Sequence, residues 1–147
     1  EGGALTMGFT YSGHPVACAA ALKNIEIMEN EKLLEHVREL GPYFQQKARE
    51  LLACHIVGDV RGKGFMLGIE LVSDKATKAC FDPSVNIANQ LFELCKAQGL
   101  IIRPIGNLIV LSPPLTLQDK DIDTIINILS TSLSQLSENL QSQGLMR

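Results

Sequence analysis

Apolar residues recur at helical spacing in four stretches of this chain and at strand spacing in four others. Over residues 15–28 the face is Cys18, Leu22 and Ile25, and Pro15 suits a first turn whose N–H groups have no partner anyway. Asn30 is the expected cap of a second helix, with a stripe through Leu33, Leu34, Val37, Leu40, Phe44, Ala48 and Leu51. Gly41-Pro42 interrupts that stripe, but the period continues in phase beyond it, which predicts one kinked helix. Residues 56–64 are too glycine-rich for a helix, and residues 65–72 form a mostly buried strand, so the two predict a hairpin or bulged pair. After a loop over 73–84, Ile87, Leu91, Leu94 and Cys95 mark a third helix closed by Gly99. Residues 100–104 and 108–111 predict a second strand pair around Ile105-Gly106-Asn107. Pro113-Pro114 ends it, and a last helix is expected from Thr116, with Asp119 completing a relative of the capping box. Its stripe is long: Ile122, Ile125, Ile126, Leu129, Leu133, Leu136 and Leu140.

The order helix, helix, two strands, helix, two strands, helix predicts an α+β domain. A small, largely antiparallel sheet would be covered by helices on one face. The chain's 147 residues are enough for one real core, and 46% of them are hydrophobic. A formal charge of −3 with mixed signs gives no basic surface for nucleic acid, and the charged face of the second helix reads as a solvated one. The longest apolar runs are too short to span a bilayer, so no membrane partner is expected. Glu1-Gly2-Gly3-Ala4-Leu5 lacks the charged and apolar regions of a signal peptide, and a start without methionine suggests processing or a piece of something longer. Cys18, Cys54, Cys80 and Cys95 are scattered, as expected of free thiols in a reducing cytosol. No histidine pair has metal-ligand spacing, and no metal is expected.

Candidate chemistry gathers in two places. Gly8-Phe9-Thr10-Tyr11-Ser12-Gly13-His14-Pro15 runs into the alanine-rich Val16-Ala17-Cys18-Ala19-Ala20-Ala21. That is a polar loop on a helix N-terminus, where outward N–H groups favour a phosphate or carboxylate. The same pattern also serves a capped helix start that binds nothing. Tyr11 would stack near a ligand or anchor its own loop, and His14 would satisfy backbone groups at the helix start. Arg103 lies in an otherwise apolar strand before a proline, which favours extended backbone. Its guanidinium suits bidentate capture of a carboxylate; the alternative is an edge arginine snorkelling to solvent or paired with Glu70 or Asp59. Arg61, in Val60-Arg61-Gly62-Lys63-Gly64, reads mainly as part of a structural turn. His36 and His55 read as surface or helix-end residues.

The string GFTYSGHPVACAAAL resembles the phosphate loop of the class III aminotransferases, pyridoxal-phosphate enzymes of fold type I. The blocks 60–71 and 102–115 are similar to that family's strands, so the resemblance extends over essentially the whole chain. It implies that residues 1–14 are a loop from a large-domain boundary and that residues 15–147 are the C-terminal small domain. It implies pyridoxal 5′-phosphate as cofactor of the full-length enzyme, with Thr10 as a phosphate ligand and Phe9 beside it, presented to the other subunit of a homodimer. Arg103 would bind the carboxylate of an ω-amino acid or of a keto acid such as pyruvate, as in the family's ω-amino-acid branch. The family's Schiff-base lysine, pyridinium carboxylate and ring-stacking aromatic fall upstream of the string, on the large domain. None of Lys23, Lys32, Lys47, Lys63, Lys75, Lys78, Lys96 or Lys120 lies in the family's lysine motif. The expectation is therefore the small domain of a cytoplasmic, homodimeric transaminase, inactive alone, whose partners are the second subunit, the missing large domain, an amine and a keto acid. The alternative is a free-standing α+β module for ligand binding or dimerisation, with no catalysis.

Overall fold

A computed structural model describes residues 8–145; residues 1–7 and 146–147, part of the loop and domain ranges expected above, lie outside the described residues. The chain divides into two compact units, with Leu34 ending the first and Glu35 opening the second. In the first unit, helix α1 (Pro15–Asn30) follows a turn and carries a proline in its first turn. Alanines at 17, 19, 20 and 21 supply helix propensity without bulk. No residue of α1 is buried, so the predicted stripe of Cys18, Leu22 and Ile25 stands open to solvent. Asn30 ends α1 rather than capping the next helix, and Lys32 just before that helix lies in the left-handed region (φ 52°).

Helix α2 (Leu33–Glu50) runs through Pro42 as one element, so the in-phase stripe across Gly41-Pro42 reports a continuous helix. A short 3-10 turn, Leu51–Ala53, leads to strand β1 (Val57–Lys63) and its partner β2 (Met66–Leu71). They pair antiparallel with a register shift between Val57 and Asp59. Gly58 is the unpaired residue there, and a Cβ on it would stand 2.5 Å from Val72 Cγ1. The hairpin turns at Gly64, whose φ of 57° suits glycine. The Gln45 side-chain amide donates to the carbonyls of Gly64 (2.8 Å) and Met66 (3.3 Å), tying α2 to that turn.

Helix α3 (Ile87–Ala97), strands β3 (Arg103–Ile105) and β4 (Leu108–Leu111), and helix α4 (Asp119–Ser142) complete the domain. The sheet order is β1-β2-β4-β3, antiparallel throughout. The strand predicted from residue 100 pairs only from Arg103 onward, opposite Val110. The α4 capping box lies at Gln118 and Asp121, two residues later than expected. The Asp121 carboxylate accepts from the Gln118 N–H at 3.0 Å, which displaces Thr116 and Asp119 from that role.

The core forms between one face of the sheet and helices α2, α3 and α4. Leu67, Ile69, Leu71, Ile109 and Leu111 point into it and meet Phe44, Leu91, Ile122, Leu129 and Leu133. Tyr43 joins α2 to α4 by donating its hydroxyl to Asp123 at 2.6 Å. The fold is thus α+β, with helices on one face of an antiparallel sheet. The other face carries Met66, Gly68, Glu70, Leu108 and Val110, none of them buried.

Candidate functional site

The two predicted regions fall in different units. In the first, residues 10–13 form a turn in which the Ser12 N–H donates to the Phe9 carbonyl at 3.0 Å and His14 N–H to the Tyr11 carbonyl at 3.3 Å. Gly13 takes φ 73°, which lets the chain swing from the turn into α1. His14 stands at the helix N-cap without a side-chain cap bond, so it does not satisfy backbone groups there as expected. Its ring instead meets Tyr11 edge-on, with centroids 6.4 Å apart. Phe9 is 73% exposed, and Thr10 is exposed too. Among the described residues the Thr10 hydroxyl has no hydrogen-bond partner. A free hydroxyl beside an uncapped helix N-terminus is a donor set that suits a phosphate. That arrangement fits the phosphate end of pyridoxal phosphate.

All eight lysines fall among the described residues, and none is buried. Lys23, Lys47 and Lys96 pair with glutamates one turn away, and Lys75 donates to the carbonyls of Leu52 and Cys54.

In the second unit, Arg103 opens the edge strand β3 opposite Val110 and is exposed. Among the described residues it makes no ion pair and no hydrogen bond. The carboxylates weighed as its partners belong to Arg61, whose Nη1 reaches Asp59 Oδ2 at 2.8 Å and Glu70 Oε2 at 2.7 Å. Those two carboxylates raise the Arg61 guanidinium above its usual range, Glu70 contributing most, and the Arg61 hydrogen bond holds the Asp59 carboxyl below its own. Arg61 is therefore neutralised in place, while Arg103 offers an open guanidinium.

A cleft of about 490 Å³ lies beside Arg103, lined by residues 100–103 and 110–114. Its walls are largely apolar, among them Ile101, Val110, Pro113 and Leu117, with Phe44 reaching it from the core. One charged fork at the rim of an apolar cleft suits a small molecule with a carboxylate at one end and an apolar body. His36, taken from sequence as a surface residue, supports this region. Its Nε2 lies 2.7 Å from the Leu117 carbonyl, and its ring meets Phe65 edge-on. Helical period alone could not reveal that contact, because it spans 81 residues of chain. The described residues contain no cluster of three or more His, Cys, Asp or Glu able to hold a metal, and no helix long and apolar enough to cross a membrane.

An antiparallel sheet backed by helices on one face, with an exposed arginine opening its edge strand, defines an α+β domain. The sequence pattern of the class-III aminotransferases matches residues 2–133, and the chain belongs to that family. It is 42% identical over 137 residues to the putrescine–pyruvate aminotransferase of Pseudomonas aeruginosa, covering 92% of this chain and 30% of that protein. It is 38% identical to the adenosylmethionine-8-amino-7-oxononanoate aminotransferase of Methanocaldococcus jannaschii, covering 87% of this chain and 28% of that one. Among solved structures, an omega-transferase from Vibrio fluvialis superposes with a TM-score of 0.87 at 38% identity, covering 94% of this chain and 33% of that chain. An (S)-enantioselective omega-transaminase from Thermomicrobium roseum gives 0.84 at 41%, covering 90% and 30%. The chain thus spans about 30% of the length of the first relatives it matches.

Proposed function

We propose that this chain is the C-terminal small domain, preceded by the phosphate loop of residues 1–14, of a pyridoxal-phosphate-dependent transaminase. The complete enzyme moves an amino group between an amine or ω-amino acid and a keto acid such as pyruvate. The observation that carries this reading is Arg103: an unpaired guanidinium at the rim of an apolar cleft, in a chain of this family. Bound pyridoxal phosphate supplies the electron sink that labilises the bonds at the amine carbon. Thr10 and the first-turn N–H groups of α1 hold the phosphate, with Phe9 beside it, for a cofactor bound chiefly by the partner subunit of a homodimer. Arg103 grips the substrate carboxylate, and the apolar wall next to it keeps water from the substrate's body. The lysine that would hold the cofactor comes from a further domain, so the chain alone does not transaminate. Its scattered free cysteines fit a cytoplasmic enzyme.

The test replaces the matching C-terminal 30% of the Pseudomonas putrescine–pyruvate enzyme with this chain and follows amino transfer from putrescine. A bidentate charge-assisted contact contributes roughly 3 kcal/mol, equivalent to about a hundred-fold in rate. Arg103→Gln should therefore lower kcat/KM for pyruvate by about a hundred-fold while leaving propanal, which has no carboxylate, within about three-fold. Equal losses for both acceptors would remove Arg103 from carboxylate binding.

A further inference from the structure

Helix α2 stands behind the Arg103 cleft and is linked to two of its walls. One wall is carried by residues 113–117, an irregular segment between β4 and α4, of which Pro113, Pro114 and Leu117 line the cleft. The two prolines have no N–H to offer the sheet. Two hydrogen bonds of the segment are local, from the Leu117 N–H to the Pro114 carbonyl at 3.1 Å and from the Gln118 amide to the Thr116 carbonyl at 2.9 Å. Among the described residues, a single hydrogen bond ties the segment to a distant element, and it joins His36 Nε2 to the Leu117 carbonyl at 2.7 Å.

A carbonyl only accepts, so Nε2 carries the proton, and the Nε2–H tautomer and the imidazolium both make this bond. Leu117 is buried, and a buried carbonyl without a partner costs about as much as a lost hydrogen bond. The same imidazole also braces the second wall. Its ring meets Phe65 edge-on at 6.0 Å, Phe65 meets Phe44 edge-on at 6.1 Å, and Phe44 lines the cleft. Phe65 is held in turn, because the Gln45 side chain donates to the carbonyls of Gly64 and Met66 on either side of it. His36 is therefore joined to both walls while standing outside the cleft itself.

We propose that His36 is a positioning residue for the Arg103 cleft. By tying Leu117 to the ring pair Phe65 and Phe44, it fixes the spacing of the apolar walls. That spacing sets how strongly the cleft prefers a carboxylate carrying an alkyl chain over a short one. The proposal rests on the functional reading above and divides the labour within it: Arg103 reads the carboxylate, and the walls set by His36 read what is attached to it.

The experiment measures the dissociation constants of propanoate and hexanoate for this chain by NMR, followed at the leucine methyls. Half-burying three methylenes makes hexanoate about ten-fold the tighter ligand. His36→Phe keeps a ring against Phe65 but loses the donor; it should narrow the preference to about two-fold and leave propanoate within about three-fold of the parent. His36→Gln carries an amide donor at the same reach and should keep the preference above about five-fold. Arg103→Gln should weaken both acids alike and leave the preference intact. An unchanged preference in His36→Phe, equal losses of both acids in it, or a His36→Gln chain that behaves like it removes His36 alone. A parent that binds neither acid, or both equally, overturns the cleft reading and this proposal together. Should His36→Phe fail to fold, the parent decides: hexanoate must move the His36 Nε2–H resonance, and a fixed resonance beside shifting Leu117 methyls overturns the proposal.

Discussion

Placing the same alanine at two glycines of the β1–β2 hairpin should move stability in opposite directions. At Gly62 a Cβ would lie 2.0 Å from the Met66 carbonyl oxygen and 3.0 Å from Leu67 Cα, both backbone atoms that cannot step aside. Relief requires parting the strands where Gly62 faces Leu67 and Lys63 faces Met66. Losing two ladder hydrogen bonds and their local packing costs about 2–4 kcal/mol. At Gly68 the nearest atoms are the flexible end of Leu108 at 3.4 Å and the Arg61 carbonyl at 3.8 Å. Alanine there should stabilise by about 0.4–1 kcal/mol, because it restricts the unfolded chain more than the folded one. The two variants should differ by roughly 2.4–5 kcal/mol, which at a urea slope of roughly 1.5 kcal/mol per molar separates their midpoints by about 1.6–3.3 M. Urea titrations followed by far-ultraviolet circular dichroism would measure this. Shifts of the same sign, or a Gly62→Ala midpoint within about 0.3 M of the parent, would refute the hairpin geometry.

Three further outcomes follow from the core and its polar links. Phe44→Ala removes a fully buried ring packed edge-on against Phe65 at 6.1 Å, and should cost about 3–5 kcal/mol, seen as a thermal midpoint roughly 10 °C lower. The hydrogen bond to the Asp123 carboxylate, followed by desolvation, pushes the Tyr43 hydroxyl up to about 12. Unfolded tyrosine ionises near 10, so this link is fully present below pH 10 and is lost as pH rises through about 12. Tyr43→Phe should flatten the alkaline fall in urea midpoint over that window. Arg61→Met should let the Asp59 carboxyl return toward its ordinary range in an NMR titration, at a cost under about 1 kcal/mol because both ion pairs are solvent-exposed.

The long stripes of α2 and α4 were legible because each helix buries one face against a single core, and burial writes itself into sequence at the helical period. The strand pairs were legible for a related reason, since Gly64 and Gly106 sit at φ 57° and 60°, where few other residues are comfortable. Helix starts were less legible. Asn30, Thr116 and Asp119 all have capping chemistry, and only the three-dimensional path of the chain selects Gln118 with Asp121. The stripe of α1 announced a face needing cover, but a period cannot say which body supplies it. Arg103 stood out as a guanidinium in an apolar strand, with carboxylate capture and pairing with Glu70 or Asp59 both open on pattern alone. That Arg61 would take both Asp59 and Glu70, leaving Arg103 open, depended on register across β1 and β2, which local pattern does not fix.

The edges of the sheet carry a consequence of their own. β3 is three residues long with Pro104 at its centre, so its middle residue has no N–H to offer another strand. At the opposite edge, β1 bends at its register shift and presents Arg61 and Lys63 to solvent. Both devices discourage open-ended strand addition. A four-stranded sheet with edges of this kind is thereby kept from growing into fibrils edge to edge.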